Sequence, residues 1–500
     1  MWYYKSSLPF GSLPQALNKK IMNRFTKKKA FWLSVAFTLL FSWTTTNSFG
    51  QPVYSKPTSP KPTPKPLFQD IPVYQENTPK SYESLVKKTG SVAPATASPN
   101  VAAPRSMNSA YSVLADVAVP GVTGILVETL DGKAVIENYS NIPLNPASNV
   151  KVATAFAVLK TFGPEFRFQT QVWTDGSYEQ STGTIHGNLY VSGRDPIFNY
   201  EHAVALSSEL NRMGIRVIDG DLIVSDNFTM NFNTSAPRAG SSLITTMDAS
   251  KRPAAATKSW QTYLTNAGKF GQQSFPSVSF AGGIYVQPMP SNVKLLFNHE
   301  SAPLREIVKA TMCYSNNFLA ERLGDMVGGA FAVARIVQLN AGVSPQEFYL
   351  QTSSGLGVNR VTARAQMKLL RAFRKDLERY KMTFADVMPV AGIDKGTLAN
   401  RFNDFSLGSV VGKTGTLGNT DAGVSTLTGE INTRNGKLLF VIFNQRGNVN
   451  RFRSFQNSYV SLIQGQFGGA AQMPYSAVAL DVRLAKSRIT YANANIGLND

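Results

Sequence analysis

A chain of 500 residues has room for two to four domains, and its 43% hydrophobic content is that of a globular protein with a sizeable core. One cysteine, Cys313, excludes an intramolecular disulfide, so packing alone must hold the fold together. The formal net charge of +19 is concentrated in residues 1–105, which hold 14 Lys and Arg against 3 Asp and Glu; with no zinc-finger spacing or RNA-recognition signature beside it, that charge is no sign of nucleic-acid binding.

In chain order, Lys27, Lys28 and Lys29 precede residues 30–43, which are apolar apart from Ser and Thr. About fourteen such residues make the core of a secretory signal, whereas a membrane span needs about twenty. Ser48 and Gly50 are the small residues of a cut before Gln51. Residues 1–50 therefore read as a signal peptide with a long basic leader, Met22 being a second candidate start. An uncleaved anchor is the rival reading, and either one exports the body to the periplasm or cell envelope. The basic N-terminus also suits association with a membrane surface. Residues 51–105 are rich in Pro, Ser, Thr and Ala and read as a disordered tether.

The body begins near Ser106. Residues 121–140 alternate like a strand pair turned at Asp131-Gly132. In 143–163, Pro146 and Ser148 look like a helix start, and Val152, Phe156 and Leu159 make a buried face. Ser148 and Lys151 are three residues apart, so their side chains share one face of that helix. Burial beside apolar walls lowers a lysine pKa, and a neutral amine can take a serine proton. The helix N-terminus adds N–H groups where negative charge develops.

Ser-x-x-Lys also arises by chance, at Ser84–Lys87 in the tether and at Ser291–Lys294 before a strand-like run. Neither opens an amphipathic helix. Residues 303–328 read as helix, break, helix, with Ser315-Asn316-Asn317 in the break. Ser315 can relay a proton and Asn317 can hold a substrate amide; the bland explanation is an N-cap for the second helix. Ser225-Asp226-Asn227 is a competing triplet at a strand end, where a turn explains it. Last come Lys413-Thr414-Gly415-Thr416 after Val410-Val411, with further strands near 422–431 and 437–443. Gly415 allows close backbone approach. Lys413, Thr414 and Thr416 can bind a terminal carboxylate, and the Thr416 and Ser148 N–H groups can form an oxyanion hole. An extended peptide can add to this strand as a new neighbour. A decoy, Lys88-Thr89-Gly90, lies in the tether.

The ordered set resembles the D-alanyl-D-alanine carboxypeptidase/endopeptidase family, the low-molecular-mass class C penicillin-binding proteins. Residues 146–159, 315–323, 388–402 and 412–431 carry the likeness, and 187–198 and 217–228 resemble that family's inserted domain. The resemblance implies an α/β penicillin-binding protein/β-lactamase-type fold: an antiparallel sheet flanked by helices, with a β-rich domain inserted between the first and second catalytic motifs. The domains expected are 106–165 with 300–470 for the serine peptidase, 166–299 for the insertion and 471–500 for a C-terminal extension.

The resemblance implies peptidoglycan stem peptides as substrate, β-lactams as inhibitors, and no metal or other cofactor. Ser148 would attack, Lys151 accept its proton, Ser315 protonate the leaving amine, Asn317 orient the substrate and Lys413 support the site electrostatically. The family's Asp-Gly-Ser-Gly-Leu stretch is here Thr352-Ser353-Ser354-Gly355-Leu356, its Gly-x-Gly-Asp-Pro is shortened to Gly193-Arg194-Asp195-Pro196, and residues 229–300 match poorly. These departures bear on the substrate groove more than on the catalytic centre. The alternatives are a cell-wall-binding or β-lactam-sensing protein that acylates but turns over poorly, a non-catalytic protein anchored by its basic tail, and a β-lactamase proper.

Overall fold

The computed structural model describes residues 107–491 except Phe270 and 272–274. The readings of 1–50 as signal peptide and 51–105 as tether lie outside the described residues, as do Ser106 and residues 492–500 of the C-terminal extension.

The opening hairpin is β1 (Val122–Thr129) and β2 (Ala134–Asn138). It turns at Asp131-Gly132, where Gly132 has φ +92° and donates its N–H to the Thr129 carbonyl at 2.9 Å. Glycine takes that backbone angle without steric cost. Helix α1 (Val150–Phe162) follows. Its sequence shows one apolar face, but every residue from Val150 to Leu159 is buried. The small Ala153, Ala155 and Ala157 let neighbours close in on the remaining sides, as expected of a central helix.

The inserted region comprises β3 (Gln169–Thr174), β4 (Leu189–Gly193), α2 (Tyr200–Arg212), β5 (Leu222–Val224), α3 (Ala236–Met247), α4 (Ala254–Asn266), β6 (Ile284–Val286) and β7 (Lys294–Glu300). Strands β4, β5 and β6 run parallel, while β3 is antiparallel to β4 and β7. Parallel neighbours need crossovers, which is why three helices accompany these strands. Val191, Val224, Phe228, Leu206 and Leu243 pack the insertion's own core.

The chain then returns through α5 (Leu304–Tyr314), α6 (Asn317–Met326), α7 (Gly329–Ala341) and α8 (Ala363–Arg379), and through β8 (Val410–Leu417), β9 (Val424–Thr433), β10 (Gly436–Gln445) and α9 (Val449–Gln466). The main sheet is antiparallel, in the order Asn108–Ser109, β2, β1, β10, β9, β8. Both faces are covered. Leu126, Val411, Val441 and Phe443 join the cluster of α1 and α8, while Ile125, Val127, Phe440 and Ile442 meet Tyr459, Val460 and Ile463 of α9. This is an antiparallel sheet flanked by helices with a region inserted between α1 and α5, and β8 is its edge strand.

The segment after α9 ties both parts together. Arg483 and Lys486 bond Glu306 on α5 at 2.8 and 2.7 Å, and β11 (Arg488–Thr490) pairs with the end of β7. No helix among the described residues is long and apolar enough to cross a membrane.

Candidate active site

The turn before α1 is backbone under tension. Ala147–Asn149 form a 3-10 turn, and Ala147 sits at φ +47°, a conformation that costs an L-residue about 1–2 kcal/mol. It is braced from three sides. The Asn145 side chain accepts the Ala147 N–H at 3.0 Å and donates to the Gly357 carbonyl at 3.0 Å and to Asp421 at 2.8 Å. Asp421 is in turn gripped by both guanidinium ends of Arg360, at 2.8 and 3.1 Å. The turn presents Ser148 at the mouth of α1, next to the helix's unsatisfied N–H groups.

Lys151, one turn further in, is 1% exposed. Its Nζ lies 3.0 Å from Ser148 Oγ, 2.8 Å from Asn317 Oδ1 and 2.6 Å from the Ser354 carbonyl. Burial brings its pKa down to about 7, with the charge of Glu321 pulling upward. Glu321 makes no contact with the amine. Its two oxygens accept the Ser354 and Ser353 N–H groups at 2.9 and 3.1 Å, so the carboxylate holds the loop that holds the lysine.

Ser315 closes α5 in the left-handed conformation, φ 54° and ψ 39°. The capping task falls on Asn316, whose side chain accepts the Leu319 N–H at 3.0 Å, and this leaves Ser315 and Asn317 free on either side of it. Lys413 on β8 is fully buried and donates to Ser315 Oγ at 2.8 Å and to the Thr414 carbonyl at 2.6 Å. Burial, and then the charge of Lys151, push its pKa well below the ordinary lysine range. Thr414 Oγ1 donates to Thr397 Oγ1 at 2.8 Å, and Thr416 Oγ1 accepts from Arg453 at 3.0 Å. Gly415 has a reason inside the protein as well: a Cβ there would lie 2.8 Å from the Pro146 carbonyl and 3.0 Å from Ala147 Cβ, and closer still to Thr426 Oγ1 on β9, so the glycine lets β8 close on its neighbour strand and on the serine's own turn.

The structure thus brings Ser148, Lys151, Ser315, Asn317 and Lys413 together, with Thr414, Gly415 and Thr416 along the adjoining edge strand. The competing triplets fall elsewhere. Lys294 begins β7, and the Ser225 and Asn227 side chains bond each other at 3.1 Å in the turn after β5. The Ser84–Lys87 and Lys88–Gly90 decoys lie outside the described residues. His186 is exposed between Glu179 and Asp219, while His202 and His299 are buried in the insertion.

The Thr352–Leu356 stretch reaches the candidate site through Ser354 and Gly355, the two positions at which it keeps the family's Ser-Gly. The Ser354 carbonyl meets Lys151, and Gly355, at φ +88°, packs so closely on Ala147 that a Cβ would lie 1.9 Å from its carbonyl. Sequence reasoning also missed Asn145, Glu321, Thr397, Asp421 and Arg453. Arg360 gave no hint in the sequence of its partner Asp421, 61 positions later.

A hydroxyl touching an amine that can lose its proton near neutrality is a nucleophile–base pair. A second hydroxyl touching a second amine, beside an open strand edge, adds a proton route and a place for an extended peptide. The chemistry this suits is acyl transfer.

A family model described as the D-Ala-D-Ala carboxypeptidase 3 (S13) family matches residues 109–237 and 244–462. A D-alanyl-D-alanine carboxypeptidase DacB of Haemophilus influenzae is 24% identical over 414 residues, covering 64% of this chain and 84% of that protein. A D-alanyl-D-alanine carboxypeptidase of Actinomadura sp. (strain R39) is 25% identical over 435 residues, covering 67% and 79%. Among solved structures, the penicillin G-acylated Bd3459 predatory endopeptidase of Bdellovibrio bacteriovorus, in complex with immunity protein Bd3460, superposes with a TM-score of 0.62. It is 22% identical, and the match covers 74% of this chain and 100% of that one.

Proposed function

The chain belongs to the D-Ala-D-Ala carboxypeptidase 3 (S13) family, and on that premise we propose that Ser148 is its nucleophile and Lys151 its general base. The activity is serine D-Ala-D-Ala carboxypeptidase/endopeptidase cleavage of peptidoglycan stem peptides through an acyl-enzyme, with penicillins acylating the same serine. The observation that carries the assignment is the 3.0 Å contact between Ser148 Oγ and an amine whose pKa burial lowers to about 7.

Ser148 Oγ bonds to the carbonyl carbon of the penultimate D-alanine, and its proton passes to Lys151. The carbon–nitrogen bond to the last residue breaks, and the leaving amine takes a proton through Ser315. Asn317, exposed at the start of α6, orients the peptide. Lys413 supports the site, because an arriving substrate carboxylate favours the charged form that burial alone disfavours. Thr414, Gly415 and Thr416 line the strand along which the peptide extends. Water then hydrolyses the ester and frees Ser148.

The substrate lies outside the cytoplasm, and so does the enzyme. Residues 1–50 serve as the export signal, 51–105 as a tether and the basic N-terminus as a membrane-surface contact. The body acts in the periplasm or cell envelope as a peptidase domain of 106–165 and 300–470 with 166–299 inserted, and 471–500 forms an extension.

Intact mass spectrometry after penicillin exposure tests the nucleophile. The expected result is one adduct on the native protein and none on Ser148→Ala. An adduct on both overturns the assignment.

A further inference from the structure

We propose that Arg453 is a specificity-determining residue that, with Thr416, receives the carboxylate of the residue that leaves; the proposal rests on the acyl-transfer reading above. Arg453 stands on α9, behind the open end of β8, and its Nη2 donates to Thr416 Oγ1 at 3.0 Å. Both residues are exposed at the mouth of the site. Since the Thr416 hydroxyl accepts from the guanidinium, its own proton is free to point outward to an anion. The guanidinium keeps further N–H donors in a planar fork that matches a carboxylate.

The neighbourhood is cationic without compensation. Arg401 bonds only the neutral Asn457 and Gln456 side chains and the Arg453 carbonyl, and Lys413 bonds only Ser315 and a carbonyl. Among the described residues none of Arg453, Arg401 and Lys413 meets a carboxylate. The contrast with Arg360, Arg364, Arg371 and Arg374 in the same lobe is clear, because each of those pairs with an Asp or Glu. Arg401 Nη2 lies 3.5 Å from the Arg453 carbonyl, and burial, then the charge of Arg453, hold Arg401 below the ordinary guanidinium range. Arg453, with Arg401 on its own backbone carbonyl and no carboxylate on either guanidinium among the described residues, puts uncompensated positive charge beside Thr416 and makes a receptor for an anion. The anion that acyl transfer brings to the leaving-group side is the α-carboxylate.

Two probes separate this role from a structural one: an N-acylated peptide ending in D-Ala-D-Ala, and the same peptide with a C-terminal amide. The native enzyme is expected to prefer the acid. Arg453→Ala should lose about tenfold to a hundredfold in kcat/KM on the acid, the range of one charge-assisted hydrogen bond, and less than about twofold on the amide. Arg453→Lys should recover part of the loss. Equal losses on both probes, no loss on the acid, or equal native rates on both would overturn the inference while a penicillin adduct on Ser148 still stands. Absence of that adduct from the native protein would overturn the acyl-transfer reading and this inference together.

Discussion

Lys151 on α1 and Lys309 on α5 are buried to nearly the same depth, 1% and 0% exposed, yet their surroundings differ in kind. Lys309 meets Asp394 at 2.7 Å and the Ala385 and Met388 carbonyls at 2.8 and 2.7 Å. The Tyr475 ring lies 4.9 Å from its ammonium, and the Tyr475 hydroxyl donates to Asp394 at 2.8 Å. Lys151 meets a hydroxyl, an amide oxygen and a carbonyl, but no carboxylate among the described residues. Burial alone therefore does not make a base. What distinguishes Lys151, the proposed base, is burial together with a nearby carboxylate, Glu321, turned onto two backbone N–H groups instead of onto the amine.

The sharpest test of this contrast exchanges rate for stability. Lys151→Ala should slow acylation by penicillin by about 10²–10⁴-fold, the range of a lost general base, with little change in thermal midpoint. Lys309→Met should do the reverse. It leaves Asp394 buried without its cation and should destabilise by about 3–5 kcal/mol in urea unfolding, while the folded fraction keeps its acylation rate within about tenfold. Adding Asp394→Asn to Lys309→Met should restore part of that stability, since a neutral amide replaces the orphaned charge. The contrast fails if Lys151→Ala unfolds the chain, or if Lys309→Met abolishes acylation at full stability.

Which parts of this were legible in the sequence follows from the range of each interaction. Ser148 and Lys151 are one helical turn apart, so their meeting is written in the spacing. Ser315 and Asn317 share a helix break, and Lys413 precedes a glycine on an obvious strand. The Asp131-Gly132 turn needs only local chemistry. The rest depends on partners far along the chain. Lys151 is held by the backbone carbonyl of Ser354, an atom every residue carries and no sequence pattern marks. Glu321 acts on that loop through N–H groups, which are equally anonymous. Gly415 was visible as a glycine, but the turn that fills the space above it comes from residues more than 200 positions earlier. The crossover helices α3 and α4 fall in the 229–300 segment that matched the family poorly, and α2 lies between the two stretches that carried the insertion's likeness, so no motif marked any of the three. The C-terminal segment offered no motif, although Arg483, Lys486 and Arg488 pair with Glu306 and Glu300 across two regions.

The smallest expected effect bears on Glu321 and is a shift rather than a loss. As the proposed general base Lys151 must be neutral to act, so kcat/KM for acylation should climb as pH rises through about 7 and level off above it. The negative charge of Glu321 raises the Lys151 pKa. Glu321→Gln removes that charge, so a larger share of Lys151 is neutral at any given pH and the ascending limb must move to lower pH. The plateau should also fall somewhat, because a glutamine has one acceptor oxygen for two N–H groups and the Ser354 carbonyl is held less firmly. The two effects separate in one experiment, penicillin acylation rates measured from about pH 5 to pH 9. The midpoint reports the charge and the plateau reports the loop. A midpoint that stays in place or moves upward would mean that Glu321 does not set the basicity of Lys151, and the distinction between the two buried lysines would then rest on Asp394 alone.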